Sequence, residues 1–162
     1  KREFLKKKEV IHIKDTSTKK QKVILGADHA GFKLKEKLKK YFKKENILYE
    51  DLGASSEKYV DYPDYAFKVA QKVSKNKDVK GILICGSGVG VDITANKFHG
   101  VRSALADDIE TAKQSREHDD TNVLSLPADE VNFELAKKII TVWLETPFSN
   151  GEKYKRRINK IE

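Results

Sequence analysis

From Val23 onward, short apolar runs alternate with longer stretches in which apolar residues recur every three or four positions. The first run, Val23 to Ala27, reads as a strand. Residues 32–45 follow with Leu34, Leu38 and the Tyr41-Phe42 pair on one face and lysines on the other, the spacing of an amphipathic helix. Ile47 to Leu52 reads as a second strand closed by Gly53, and residues 65–74 as a second helix after the turn at Pro63. Gly81 to Cys85 is uniformly apolar, as expected of a strand covered on both faces, and so belongs near the centre of a sheet. Helices over 90–97 and 109–117, strands over 101–106 and 123–126, a long helix over 131–144 and a basic one over 151–161 complete the series.

Regular alternation of strands and helices predicts the α/β class. The expected architecture is a single-domain, Rossmann-like doubly wound sheet, mostly parallel, of about five strands with helices on both faces and right-handed crossovers. In such sheets ligands bind beyond the carboxyl ends of the strands. Asp28-His29, Cys85 with its glycines, and Asp107-Asp108 all fall there.

At 162 residues the chain fits one domain with its own core. Its net charge of +8 is unevenly spread: residues 1–22 hold nine Lys/Arg against Glu3, Glu9 and Asp15, a net of +6, which leaves +2 for the rest. The expected division is therefore a basic extension over 1–21 and a nearly neutral domain over 22–162. Such an arm is a solvated extension or a weak polyanion contact. Its basic residues are not interleaved with stacking aromatics, so no specific nucleic-acid partner is expected. No apolar stretch approaches the ~20 residues that span a bilayer and no signal-peptide core precedes the first strand, so a cytoplasmic protein without a membrane partner is expected. A single cysteine forms no intrachain disulfide, and Cys85 is there for packing or for chemistry.

The stretch GILICGSGVGVD, Gly81 to Asp92, sets that thiol directly before a glycine-rich turn. It is not a dinucleotide fingerprint, because Val91 stands where the third glycine would, and it lacks the Gly-Lys-Ser/Thr ending of a nucleotide phosphate loop. It is not a nucleophile elbow either, since the residue two before Ser87 is Cys85. What remains is a turn that presents the backbone N–H groups of Gly86 to Gly90 at a helix amino terminus, where they stabilise a bound anion or a developing negative charge. The same dipole end predicts a lowered pKa for Cys85. A thiolate there can remove a proton from a carbon beside a carbonyl while the turn holds the resulting enediolate. A small, inert core cysteine is the competing reading.

His118, in SREHDDTNVL, closes the fourth helix and precedes the last strand. His29, in GADHAGF, follows the first strand, with Asp28 placed to cap the next helix. An exposed helix-end histidine and a simple cap are the plain readings of these two positions. Both histidines would sit on the ligand side of the sheet, or reach it from a second subunit.

The segments LGADHAGFKLKEKL, VDYPDYA, GILICGSGVGVDITANKFHGVRSAL and SREHDDTNVL, with TPFSNGEKYKRRINKI as a weaker tail, occur in this order. Together they resemble the type B ribose-5-phosphate isomerases, which form one sugar-phosphate isomerase family with the subunits of galactose-6-phosphate isomerase. The resemblance covers about residues 22–161. It implies an aldose–ketose isomerase acting on D-ribose 5-phosphate and D-ribulose 5-phosphate, or on a six-carbon sugar phosphate. A non-catalytic sugar-phosphate or polyanion binder is the remaining alternative, and retention of both Cys85 and His118 argues against it. By resemblance, Cys85 is the base that carries a proton between C1 and C2, His118 opens the sugar ring, and Ser87 completes the catalytic set. Gly86, Gly88, Val89 and Gly90 line the anion hole beside Ser87, while Asp28 and His29 contact substrate. Some relatives use a glutamate just after the glycine turn as the base; here that position is Val91. No metal and no cofactor is implied. The partners implied are a sugar phosphate and a second copy of the chain, in a homodimer or a tetramer with shared active sites.

Departures from the family pattern fall in the phosphate grip. Lys153 and Arg157 stand in the tail where relatives commonly carry two arginines, and lysine lacks the bidentate fork. Asp119 follows His118 where an asparagine is usual. Asp129 occupies a position where relatives typically place an arginine, and its charge would repel a phosphate nearby.

Overall fold

The computed structural model describes residues 21–162; the predicted basic extension lies outside the described residues except for Gln21, which is exposed. Eleven elements follow in the order β1 (Lys22–Ala27), α1 (Phe32–Lys44), β2 (Tyr49–Asp51), α2 (Tyr62–Lys75), β3 (Val79–Cys85), α3 (Val89–Ala95), β4 (Ser103–Leu105), α4 (Ile109–Asp119), β5 (Val123–Pro127), α5 (Phe133–Glu145) and α6 (Glu152–Ile161). The strands form one sheet in the order β2-β1-β3-β5-β4, and every pairing is parallel. The Gly81–Cys85 run lies on the central strand, as its uniform apolarity requires.

Alternate residues of each central strand feed two separate cores. On one face Val23, Leu25, Ile82, Ile84, Leu124 and Leu126 pack against α1, α4 and α5; Phe42 and Trp143 are the largest apolar side chains buried there. On the other, Ile24, Leu83, Cys85 and Val123 pack under α2 and α3. Helix α6 packs on α4 and buries none of its side chains fully.

Three differences from the sequence reading have physical causes. Both edge strands are shorter than their apolar runs, because each has a ladder partner on one side only. Helix α2 begins at Tyr62, with Pro63 inside its first turn rather than before it; the first turn of a helix leaves its N–H groups unbonded, so proline fits there. Lysines of α1 were expected on the solvent face, yet Lys35 is fully buried. Its ammonium donates to Asp51 of β2 at 2.6 Å and to Glu36 at 3.0 Å, and Lys39 reaches Asp51 at 2.8 Å. Burial alone would push the Asp51 carboxyl up, but these two ammoniums and the Gly53 N–H outweigh it and hold it below the usual range.

Candidate active site

Central strand β3 delivers Cys85 to its carboxyl end, where the side chain is 4% exposed. The chain then turns through Gly86 and Ser87 into Gly88, which caps α3 with φ +74°. With φ positive and a Cβ on Gly88 only 2.4 Å from Leu105 Cδ1 and 3.1 Å from the Leu126 backbone, this corner favours glycine. The turn wraps the sulfur. Gly88 N–H donates to Cys85 Sγ at 3.1 Å, and the N–H groups of Val91 and Gly90 also face it.

Burial nevertheless pushes the Cys85 thiol up, and the three amides, opposed also by the Asp28 carboxylate, only partly offset it. This corrects the expectation of a lowered pKa: the helix end favours the thiolate as anticipated, but desolvation is larger. The amides of the turn are also less open to solvent than expected. That of Gly88 is directed at sulfur and that of Val89 at the Ser87 hydroxyl, 3.3 Å away. Ser87 and Val89 are exposed, and Gly86 and Gly90 half-buried.

The loop after β1 lies beside this turn. Asp28 is 6% exposed and accepts from the Gly31 N–H at 3.0 Å, so it braces the entry to α1 while Gly31 itself occupies the capping position. His29 is half-buried. Its Nδ1 meets the backbone of Val60, 3.2 Å from the oxygen and 3.3 Å from the nitrogen, and its ring contacts Tyr59 at 4.7 Å. The anchored Nδ1 leaves Nε2 for a ligand. Asp129 is exposed and keeps to the same end of the sheet, its N–H donating to Gly86 O at 3.0 Å.

His118 lies elsewhere. Helix α4 leaves the carboxyl end of β4 and returns to start β5, so its last turn sits at the amino ends of the strands. Arg102, just before β4, confirms the placement by donating to the carbonyls of Asp119 and Asp120, both at 2.9 Å. Within one chain the Cys85 and His118 side chains are therefore at opposite poles of the sheet, which overturns the reading that puts both histidines on one ligand side of a single chain. His118 stacks on Tyr154 of α6, with ring centroids 4.3 Å apart and planes 13° apart, and Gln114 donates to its Nδ1 at 3.2 Å. Exposed Asp119, Lys153 and Arg157 share this pole; the Lys153 ammonium sits 4.7 Å over the Tyr154 ring.

A model of the ribose/galactose isomerase family matches residues 23–161. The chain belongs to that family. Ribose-5-phosphate isomerase B of Escherichia coli is 39% identical over 141 residues, covering 87% of this chain and 94% of the relative. Among solved structures, a Thermotoga maritima ribose 5-phosphate isomerase superposes with a TM-score of 0.83 at 45% identity, over 86% of this chain and 96% of that one. The Mycoplasma genitalium enzyme with bound ribulose 5-phosphate gives 0.82 at 42% identity, covering 86% and 93%.

In this isomerase-family chain the sequence reading missed several side chains that shape the two poles. Gln114 is one helical turn before His118, so the i, i+4 rule points to it. Tyr62 packs so closely on the turn that a Cβ at Gly90 would meet its ring at 2.5 Å. Tyr59 and Tyr62 follow the carboxyl end of β2, and that position was the available signal. Among the described residues, no cluster of His, Cys, Asp and Glu could hold a metal ion, and no helix is long and apolar enough to cross a membrane.

Proposed function

We propose that this chain is a cytoplasmic aldose–ketose isomerase that interconverts D-ribose 5-phosphate and D-ribulose 5-phosphate in a homodimer whose two sites are each assembled from both copies. The observation that carries this reading is the thiol of Cys85 ringed by backbone N–H groups at the end of the central strand. The family membership and the ribulose 5-phosphate bound by the Mycoplasma genitalium relative support the substrate. The separation of Cys85 from His118 supports assembly from two copies, since neither pole holds both a base and a ring opener.

His118 of one copy moves a proton from the anomeric hydroxyl to the ring oxygen, which opens the furanose. Cys85 of the other copy first releases its thiol proton to solvent; the thiolate then takes the C2 proton of the open aldose and becomes the thiol. The electron pair left on C2 forms the C1–C2 double bond, and the carbonyl electrons move to O1, giving the enediolate. The thiol then returns its proton to C1 while the O2 proton passes to O1, which yields the ketose with every proton accounted for. Ser87, Gly86, Gly88, Val89 and Gly90 surround the developing charge, and Asp28 with the free Nε2 of His29 holds the sugar hydroxyls. Lys153 and Arg157, flanking the stacked Tyr154, hold the phosphate beside His118, with Asp119 at the rim. The turn amides now directed at sulfur become available to the enediolate as the thiolate gains the proton.

Turnover of ribose 5-phosphate by the purified chain, compared with allose 6-phosphate and galactose 6-phosphate, tests the reading. Preference for the pentose is expected. A folded dimer that acts only on a six-carbon ester would overturn the substrate and keep the chemistry; one that acts on none would overturn both.

A further inference from the structure

A cavity of about 550 Å³ opens at the amino ends of the strands, lined by residues that begin or precede β3, β4 and β5, including Lys80, Arg102 and Asn122. None of Cys85, Ser87, His118, Lys153 or Arg157 lines it. The volume is that of a small-molecule site. Lys77, Lys80, Arg102 and Arg116 face it with Asp120 and Glu162 as the only carboxylates among its lining, which leaves two positive charges over.

Lys80 is the group that the fold leaves unexplained. It is 6% exposed, and its ammonium makes no hydrogen bond or ion pair among the described residues; its one contact of this kind is the Trp143 ring, 5.1 Å from the centroid. No buried side-chain nitrogen among the described residues lacks a hydrogen-bond partner, so the stem of Lys80 is buried while its ammonium opens into the cavity. Here burial and the Arg116 guanidinium bring the pKa down to about 8, against a weaker opposing pull from Asp120. Asp120 is already engaged: one carboxylate oxygen accepts from Arg116 at 2.8 Å and the other from Arg102 at 3.3 Å. Arg116, 7% exposed, spends Nε on Thr146 O and Nη1 on Asp120 and Thr121 O, and Nη2 has no partner among the described residues.

We propose that this cavity is a second anion site, separate from the isomerase centre, that takes the phosphate group of a small phosphorylated metabolite between Lys80 and Arg116. The Lys80 ammonium carries three N–H donors and Arg116 Nη2 carries unspent ones; both residues line the cavity, and these are donors that oxyanions use. A phosphate dianion matches the two surplus charges; a carboxylate would match one.

Trp143 is the only tryptophan of the chain and lies under the Lys80 ammonium, so its emission reports on the cavity. Inorganic phosphate is titrated into the full chain at constant ionic strength, alongside Lys80→Met, Lys80→Arg and Arg157→Ala. A saturable change in emission is expected for the parent chain, for Arg157→Ala and, within a few-fold, for Lys80→Arg. Lys80→Met keeps the side-chain volume and is expected to weaken binding by about tenfold or more, the loss of one charge-assisted contact. Its isomerase turnover is expected to match the parent's, since Lys80 is outside that centre. The proposal is overturned by an unresponsive parent chain, by equal binding in Lys80→Met, or by a response that Arg157→Ala abolishes and Lys80→Met preserves.

Discussion

The Gly88 backbone N–H points at the Cys85 sulfur from 3.1 Å, so the residue that turns the chain into α3 is also the first to greet a negative charge on the thiol. Burial works against that charge, and the balance favours the protonated thiol in the substrate-free chain.

Alkylation of Cys85 by iodoacetamide, followed against pH, is therefore expected to show a midpoint above that of an ordinary thiol. The sign follows from the causes: burial disfavours the thiolate, and the Asp28 carboxylate adds to it in the same direction. Asp28→Asn is expected to move the midpoint down. A parent midpoint at or below the ordinary thiol value contradicts the dominance of burial. Replacement of Cys85 by Ala is expected to lower isomerase kcat by about 10²–10⁴-fold, the range of a positioned general base.

Gly88 and Gly90 respond differently to the same methyl group. At Gly88 the backbone has φ +74° and the new Cβ meets Leu105 and the backbone of Leu126, so Gly88→Ala is expected to lower unfolding stability by about 1–3 kcal/mol. At Gly90 the obstacle is the ring of Tyr62, a side chain 40% exposed and able to swing aside. Gly90→Ala is expected to cost less than about 1 kcal/mol, within the range of overpacking that the neighbours relieve. Chemical denaturation of the two variants separates them.

Complementation tests assembly of the site from two poles. Cys85→Ala and His118→Ala are each expected to be nearly inactive as homodimers. Mixed after unfolding and joint refolding, they form heterodimers in which one site carries both changes and the other carries neither. Random pairing then restores about a quarter of parental activity, as two-fold symmetry requires. Persistent inactivity of a mixture shown to contain heterodimers excludes the shared site.

Lys35 holds β2 to α1 from a fully buried position. Lys35→Ala removes a buried ammonium and its packing while Lys39 and the Gly53 N–H stay on Asp51, and is expected to destabilise the fold by about 1–3 kcal/mol. The Asp51 carboxyl is held below its unfolded value, so its contribution is present above the ordinary carboxylate pKa and is lost as pH falls through the lowered one. In Asp51→Asn, the acid-induced loss of stability over that interval is expected to be smaller than in the parent, measured by denaturation at a series of acidic pH values.

Strands β1, β3 and β5 were legible because each is an apolar run long enough to be covered on both faces. Burial of Lys35 was not, since its partner Asp51 comes from a separate strand 16 residues away. The contact of His29 with Val60 spans 31 residues and leaves no local pattern. The acidity of Cys85 was misjudged because a dipole can be read from the order of strand, turn and helix, whereas desolvation depends on α2 and α3 closing over the sulfur. Placement of His118 needed only chain direction: a helix that returns from β4 to β5 must end at the amino pole.

Both outer strands of the sheet, Tyr49–Asp51 and Ser103–Leu105, are three residues long. The open hydrogen-bonding rims are thus too brief to seat a foreign strand. An all-parallel sheet whose margins stop this early discourages edgewise stacking into fibrils.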